Sequence, residues 1–548
     1  MKPLAIAGAC LALSLLTYFQ FPGHTWLQQD SQIYAPILEH LRDPSVLRNE
    51  ILAERAHVAY TLYDEIARAL RAATNLDFRD VLACEQIVTR AFGIWGLYLM
   101  ALAICGALAP RPAPLALFIA AICSLGAVVA GPTVLTFEYE PTPRAFALPL
   151  AICAMGLTVH RRYLAAGIAL AAAFLYHPPT ALPFVVFYCA LALWPAKSET
   201  VRHRLWRLAP PAGAALVLAI AARVQEGGGE AQTFFARLTP DLERLQRMRA
   251  SYNWISDAHA WPPALLGHYA ILFGILLAAF LRLRREMSFE LRLFSLGLPI
   301  AGMLSLPASW LLLDHWRWAL IPQFQPMRSI LFVTLFAQFL TAAAGVRAAL
   351  RRQPLEAVGW FALAYLPPIQ PILTQPFAFR GIAVALALSL IAWLAIWLRA
   401  GRWEPATPLL ALVAFFAIPG IAGVVNYPRA RTPELDQLSI WARSSTPKDA
   451  VFQFADIGKG LDPGIFRAQA ERAIYVDWKG GGQVNYLAGF ARLWWLRWQQ
   501  TSQNRFKPRD LPKYAALGIR YIVVGPKNRL KDRTPVFESA KYLVYALL

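Results

Sequence analysis

"LALSLLTYFQFPGHTWLQQDSQIYAPILEHL", residues 11–41, joins two kinds of chain. Up to Phe21 it is the second half of an apolar run that begins at Pro3, behind the basic residue Lys2. Pro22 and Gly23 then break the helix, and the chain turns to His24, glutamines and Asp30. From there Ile33, Ile37, Leu38 and Leu41 share one helical stripe, the pattern of a helix that lies in a membrane interface rather than crossing it. The start of the chain resembles a signal peptide, but "SLLTYFQFPGH" offers no small-x-small cleavage site, so an uncleaved first helix is expected. Asp30 thus stands just outside the hydrocarbon, at the N-terminal end of the interfacial helix. A carboxylate there can cap the helix, or it can face a substrate carried by lipid.

The pattern of the first run recurs. The 548 residues are 57% hydrophobic and 16% charged, with a mean hydropathy of +0.42, which excludes an ordinary soluble domain. Apolar runs of bilayer length fall at about 3–21, 91–109, 113–131, 143–158, 162–177, 180–195, 208–223, 263–282, 291–313, 326–346, 355–370, 377–398 and 406–425. The expected fold is an α-helical polytopic membrane protein of about 13 transmembrane helices. A net charge of +20 suggests nucleic acid only until the charges are placed. With the N-terminus inside, Lys2, Arg111, Arg161, Arg162, Lys197, Arg202, Arg204, Arg207, Arg282, Arg284, Arg285, Arg347, Arg351, Arg352, Arg399 and Arg402 all fall in inside gaps. Short outside gaps hold Arg144, Arg317, Arg328 and Arg380. This is the positive-inside asymmetry of a bacterial cytoplasmic membrane protein, with its working surface in the periplasm. Five of the six cysteines lie in apolar runs, and no CxxC motif occurs.

Two parts follow. Residues 1–428 form the membrane domain, with long outside loops at about 22–90 and 224–262; in the second, "PDLERLQRMRASYNWI" (240–255) has helical spacing. Residues 429–548 differ. "DAVFQFAD", "RAIYVDW", "IRYIVVG" and "KYLVYALL" read as strands, and "VNYLAGFARLWWLRWQQ" as an amphipathic helix, so a small periplasmic α/β domain is expected. Its roughly 20 basic and 10 acidic side chains suit an anionic headgroup surface.

Four outside segments besides the Asp30 loop carry polar groups. "FEYEPTPRAF" (137–146) sets Glu138, Glu140 and Arg144 at a span mouth: two carboxylates able to bind a metal or steer a cationic group, or a charged turn with a Glu–Arg pair. "LYHPPTALPF" (175–184) ends a span on His177, which either lines a cavity or marks a helix break. "LIPQFQPMRSILF" (320–332) leads Gln323, Gln325 and Arg328 into a span, and an arginine fork there suits a phosphate or simply snorkels. Arg317 and Arg380 are weaker candidates of the same kind. "VDWKGGGQVNY" (476–486) lies between a strand and a helix, where glycines can cradle a phosphate; it matches neither a Walker motif nor GxGxxG and reads instead as a loop, packed on the membrane face. No serine nucleophile elbow and no HExxH site occur.

An acidic residue in a long loop after the first membrane helix, interfacial helices in that loop, a second acidic group two outside loops on, and a soluble outer tail together resemble the GT-C superfamily of membrane glycosyltransferases. The tail from "LSIWARSSTPKDAVFQF" (438–454) through "FRAQAERAIYVDWKG" (466–480) is similar to tails of bacterial members. The likeness covers the whole layout through short motifs. It implies inverting transfer of a sugar from a polyprenyl-phosphate donor to an acceptor at the outer face. Asp30 would be the general base, Arg144 and Arg328 would bind phosphate, and His177 and Gln325 would bind substrate, with Glu138 or Glu140 on the acceptor or on a divalent metal. Asp30 has no adjacent second acid, a departure from the commonest pattern that leaves the metal open. Partners would be the lipid donor, membrane lipid and an acceptor, with no nucleic acid. Two other classes compete. A flippase or transporter of lipid-linked saccharide predicts charged or broken residues in mid-span; a non-catalytic envelope assembly protein predicts no cavity beside Asp30.

Overall fold

A computed structural model describes residues 2–53, 60–194, 200–224, 234–399, 406–423, 426 and 431–547. Each expected apolar run carries a helix. Among the described residues six helices are long and apolar enough to cross a membrane: Phe78–Leu108, Arg204–Val224, Pro263–Leu283, Phe289–His315, Ile321–Leu350 and Phe379–Leu398. Shorter apolar helices accompany them, among them Pro3–Phe19, Ala113–Ser124, Pro143–Val159, Tyr163–Tyr176 and Pro178–Leu193. Burial sorts the bundle. The span ending at Leu350 is 94% buried and forms its axis, whereas Arg204–Val224 is 17% buried and lies at its edge.

The second run differs from expectation at its start. It was expected at 91, but the helix begins at Phe78 and runs 31 residues, about 46 Å at 1.5 Å per residue. That exceeds a ~30 Å hydrocarbon core, so its first turns belong to the outer layer. Asp77 caps it, its side chain accepting from the Asp80 amide at 2.9 Å. This helix crosses Pro143–Val159 backbone to backbone. A methyl on Gly96 would stand 2.3 Å from the Ile152 carbonyl oxygen, and one on Gly156 would stand 2.5 Å from that of Gly96. Close approach through small residues is how helices pack where lipid offers no hydrophobic drive. The crossing also sets the position of Arg144, in the first turn of the second helix.

One end of the bundle gathers arginine–glutamate pairs: Arg161–Glu290, Arg282–Glu356 and Arg347–Glu286. The other end carries an outer layer. Its first loop holds helices Ser31–Arg42 and Tyr63–Thr74. The second holds Pro240–Arg249, which ends sooner than the 240–255 stretch suggests; Ser251–Asn253 is a separate 3-10 turn. Residues 225–233 of that loop lie outside the described residues.

The tail builds a five-stranded sheet in the order Ala473–Ile474, Val451–Phe454, Tyr521–Val524, Leu543–Ala546, Phe537–Glu538. The first two pairings are parallel and the last two antiparallel. All four expected strands are present, and the expected helix forms at Ala488–Thr501. Helix Asp462–Ala470 lies against the loop helix Ser31–Arg42, close enough that a methyl on Gly464 would meet the Gln32 side chain at 2.1 Å.

Candidate active site

Asp30 occupies the N-cap position of Ser31–Arg42, yet its side chain makes no capping bond. Glu140 holds that turn instead. One of its oxygens accepts from the Gln28 and Gln29 amides at 2.9 and 2.6 Å and from the Ser31 hydroxyl at 2.9 Å, and the other from the Ser31 amide at 3.2 Å. The Asp30 carboxylate is therefore released to look outward. Its Oδ2 takes Arg144 Nη1 at 3.0 Å and its Oδ1 takes Lys479 Nζ at 2.7 Å. Arg144 in turn gives Nε to Glu138 at 2.7 Å. Glu138 also accepts from the Leu135 amide at 3.1 Å, and its backbone carbonyl takes Gln86 Nε2 at 2.9 Å as well as the buried Arg90 guanidinium.

Asp30 is 27% exposed, Arg144 16% and Lys479 13%. Burial pushes the Asp30 carboxyl up, but Lys479 and Arg144 outweigh it and hold it far below the usual carboxylate range. Glu140 is raised, by burial first and by Asp30 second.

Lys479 belongs to "VDWKGGGQVNY", read from sequence as a packed loop. That loop is fastened from beneath. Arg467, fully buried, binds Asp477 at 2.6 Å and reaches Glu50 at 3.5 Å, and donates to the Gln32 carbonyl at 3.0 Å. Asp477 also accepts from the Gly480 amide at 3.1 Å, and its carbonyl takes Trp494 Nε1 at 2.9 Å. Arg249, from the second outer loop, donates to the carbonyls of Trp478 and Lys479 at 3.0 and 3.3 Å. The three glycines serve close packing. A methyl on Gly480 would meet Asp477 at 2.6 Å, on Gly481 the Trp494 indole at 2.6 Å, and on Gly482 the Ile33 side chain at 2.8 Å.

Beside these residues lies a cavity of about 480 Å³, within the usual range for small-ligand sites. Its walls differ. Ala215, Leu218, Ala219 and Ala222 of the edge helix make one side apolar, while Tyr34, His177, Gln323, Gln483 and Tyr486 bring polar groups to the rest. His177 caps the next helix, accepting from the Thr180 amide at 3.2 Å. Burial raises the Tyr34 hydroxyl far above its normal range; Asp30 and Tyr486 act in the same direction, and Arg144 and Arg328 oppose them. Tyr34 is thus protonated, a donor within the field of all three charged groups. Arg328 is buried over the Tyr252 ring at 5.9 Å, and its Nε has no partner. Gln325, buried with a left-handed φ of 47°, likewise leaves both amide atoms unpartnered among the described residues. Among the described residues that line this cavity are His177 and Gln323 but not Gln325, Asp30, Glu138, Glu140, Arg144, Arg328 or Lys479.

The structure thus joins Asp30, Arg144 and Glu138 directly, hangs Asp30 from Glu140, and brings His177 and Arg328 into the same neighbourhood. Lys479, Tyr34, Tyr486 and Arg249 were not singled out from sequence. Among the described residues no three His, Cys, Asp or Glu side chains group to hold a metal. The carboxylates here are engaged, Asp30 and Glu138 by cations and Glu140 by amides.

The fold is shared with the ArnT protein from Cupriavidus metallidurans bound to undecaprenyl phosphate, at a TM-score of 0.50 and 12% identity over 100% of this chain and 98% of that one. The same protein in its apo state gives 0.45 at 12% identity, covering 100% and 97%. The arabinofuranosyltransferase AftD from Mycobacteria gives 0.46 at 14% identity, covering 96% of this chain and 35% of that one. No family model and no curated protein matches the chain.

Proposed function

We propose that the chain transfers a sugar from a polyprenyl-phosphate donor to an acceptor at the outer face of the bacterial cytoplasmic membrane, with Asp30 as general base. One observation carries the reading: an ionised carboxylate, clasped by two cations, acts on Tyr34 and Tyr486, which line a cavity with one apolar and one polar wall. Glycosyl transfer asks for this set. The acceptor hydroxyl must lose its proton as it attacks the anomeric carbon, and a positioned carboxylate takes it. The leaving phosphate gains charge and needs fixed cations, which Arg144 and Arg328 supply. Glu140 and Glu138 act as positioning residues, one for the Asp30 turn and one for Arg144. His177 and Gln323 meet the substrate.

The cavity's depth supports a lipid donor. Tyr163–Tyr176 has 14 residues and rises about 21 Å, short of a ~30 Å hydrocarbon core, so His177 at its end is recessed below the outer surface. Phe235 is 82% exposed and Trp310 and Trp316 are about half exposed, as aromatic side chains at a bilayer interface would be. ArnT was solved with undecaprenyl phosphate bound, which accords with an amphiphile of this class. In the transporter reading the charged groups would stand in mid-span, whereas the reactive set here is gathered at one end of the bundle.

The test is release of polyprenyl phosphate from polyprenyl-phospho-sugar donors by the full chain in lipid. Asp30→Asn is expected to lower the rate by about 10²- to 10⁴-fold while leaving the fold intact. Full activity in a folded Asp30→Asn protein would end the proposal.

A further inference from the structure

The proposed transfer displaces one negative charge across the site. The acceptor O–H bond breaks, its oxygen bonds the anomeric carbon, and its proton neutralises Asp30. The bond from that carbon to the phosphate oxygen breaks, and its electron pair leaves with the phosphate. A phosphodiester with one charge becomes a monoester with two, while Asp30 goes from one charge to none.

We propose that Lys479, carried by the tail, is the catalytic cation that follows this charge, passing from Asp30 to the phosphate of the lipid donor. The proposal rests on the transferase reading above and adds a residue from a different part of the chain. Its grounds are geometric. Arg144 holds Asp30 and Glu138 together, so when Asp30 is neutralised it keeps a partner and stays. Lys479 has Asp30 as its one hydrogen-bond acceptor among the described residues, and a proton on Asp30 removes that ion pair in a largely buried place, leaving only the more distant field of Glu140. Its backbone is pinned by Arg249 at the carbonyl and by Asp477 through Gly480, while its four-carbon stem has rotatable bonds that can re-aim the ammonium from that anchor. Four and seven residues on, Gln483 and Tyr486 of the same loop line the cavity. A lysine so rooted exchanges one anion for another without moving the fold. It also keeps Asp30 a weak base until a phosphate competes for the cation, which couples base strength to donor arrival.

The probes are undecaprenyl phosphate and neutral undecaprenol, titrated against the full chain in nanodiscs. Lys479→Met should weaken undecaprenyl phosphate binding about tenfold or more, and Lys479→Arg should stay within about threefold. Undecaprenol should bind all forms alike. Asp30→Asn should bind the phosphate several-fold tighter, because Lys479 is then free for it, and Asp30→Asn with Lys479→Met should lose that gain. A structural strap would not produce the tightening. Unchanged affinity in Lys479→Met alongside a weakened Arg328→Gln overturns the exchange and leaves the lipid-phosphate reading standing. A parent chain that binds no undecaprenyl phosphate overturns both. If Lys479→Met fails to fold, Asp30→Asn decides alone: equal or weaker binding than the parent ends the proposal.

Discussion

Glu140 shows how much a single side chain arranges before any chemistry begins. Three amides and a hydroxyl of the Gln28–Ser31 turn converge on its carboxylate, which frees Asp30 from capping duty. Glu140→Ala leaves those donors buried and unpaired, at roughly 1–3 kcal/mol for the group left unsatisfied, and a lowered thermal midpoint with loss of transfer is expected. Asp30 itself sets a pH window. Its folded-state value lies below the ~3.9 of an unfolded aspartate, so the clasp's contribution is complete above about pH 4 and is lost as pH falls toward the folded value. Thermal melts of the parent should therefore show no Asp30 contribution to pH dependence between pH 5 and 8. Below about pH 4 the clasp should weaken, a component that Asp30→Asn lacks.

At the scale of elements, two glycine contacts position the site from opposite sides. Gly96 lets the second membrane helix meet Pro143–Val159, and Gly481 lets the tail loop lie on the Trp494 ring. Adding one methyl at either place overpacks a close contact, at about 1–3 kcal/mol. Gly96→Ala should shift Arg144 away from Asp30. Gly481→Ala should loosen residues 477–486, read as faster amide exchange there with the sheet unchanged. Helices of this kind were legible in the sequence because lipid imposes length and apolarity on them. The start at Phe78 was not, since "LDFRDVLACEQIVTR" (76–90) is too polar for a hydropathy reading; its signal is Asp77, a capping aspartate. Tail strands were legible from their β-branched and aromatic runs. The glycine run at 480–482 was visible, but its reason is tertiary: Asp477, Trp494 and Ile33 crowd it. The partnership of Lys479 with Asp30 depends on how the tail docks, and no local pattern encodes that.

Docking of the tail is a whole-molecule matter, and it turns on Arg467. Its fully buried guanidinium ties Asp477 of the tail to Glu50 and Gln32 of the first loop. Burial pushes the Glu50 carboxyl above its normal range, and Arg467 pulls it back. Arg467→Met would strand two carboxylates in the interface, at about 3–5 kcal/mol. The tail should then come away as a unit, seen as protease sensitivity near 424–431 with membrane insertion preserved. The docked tail also governs when the protein can work. Asp30 and Lys479 are 449 residues apart in sequence, and a ribosome feeding the membrane delivers the first long before the second. Every spanning helix is made and inserted while the cation is still missing. On the proposed reading the site is complete only once residue 479 has been made, and an inserted product truncated before it would hold Asp30 without its lysine partner.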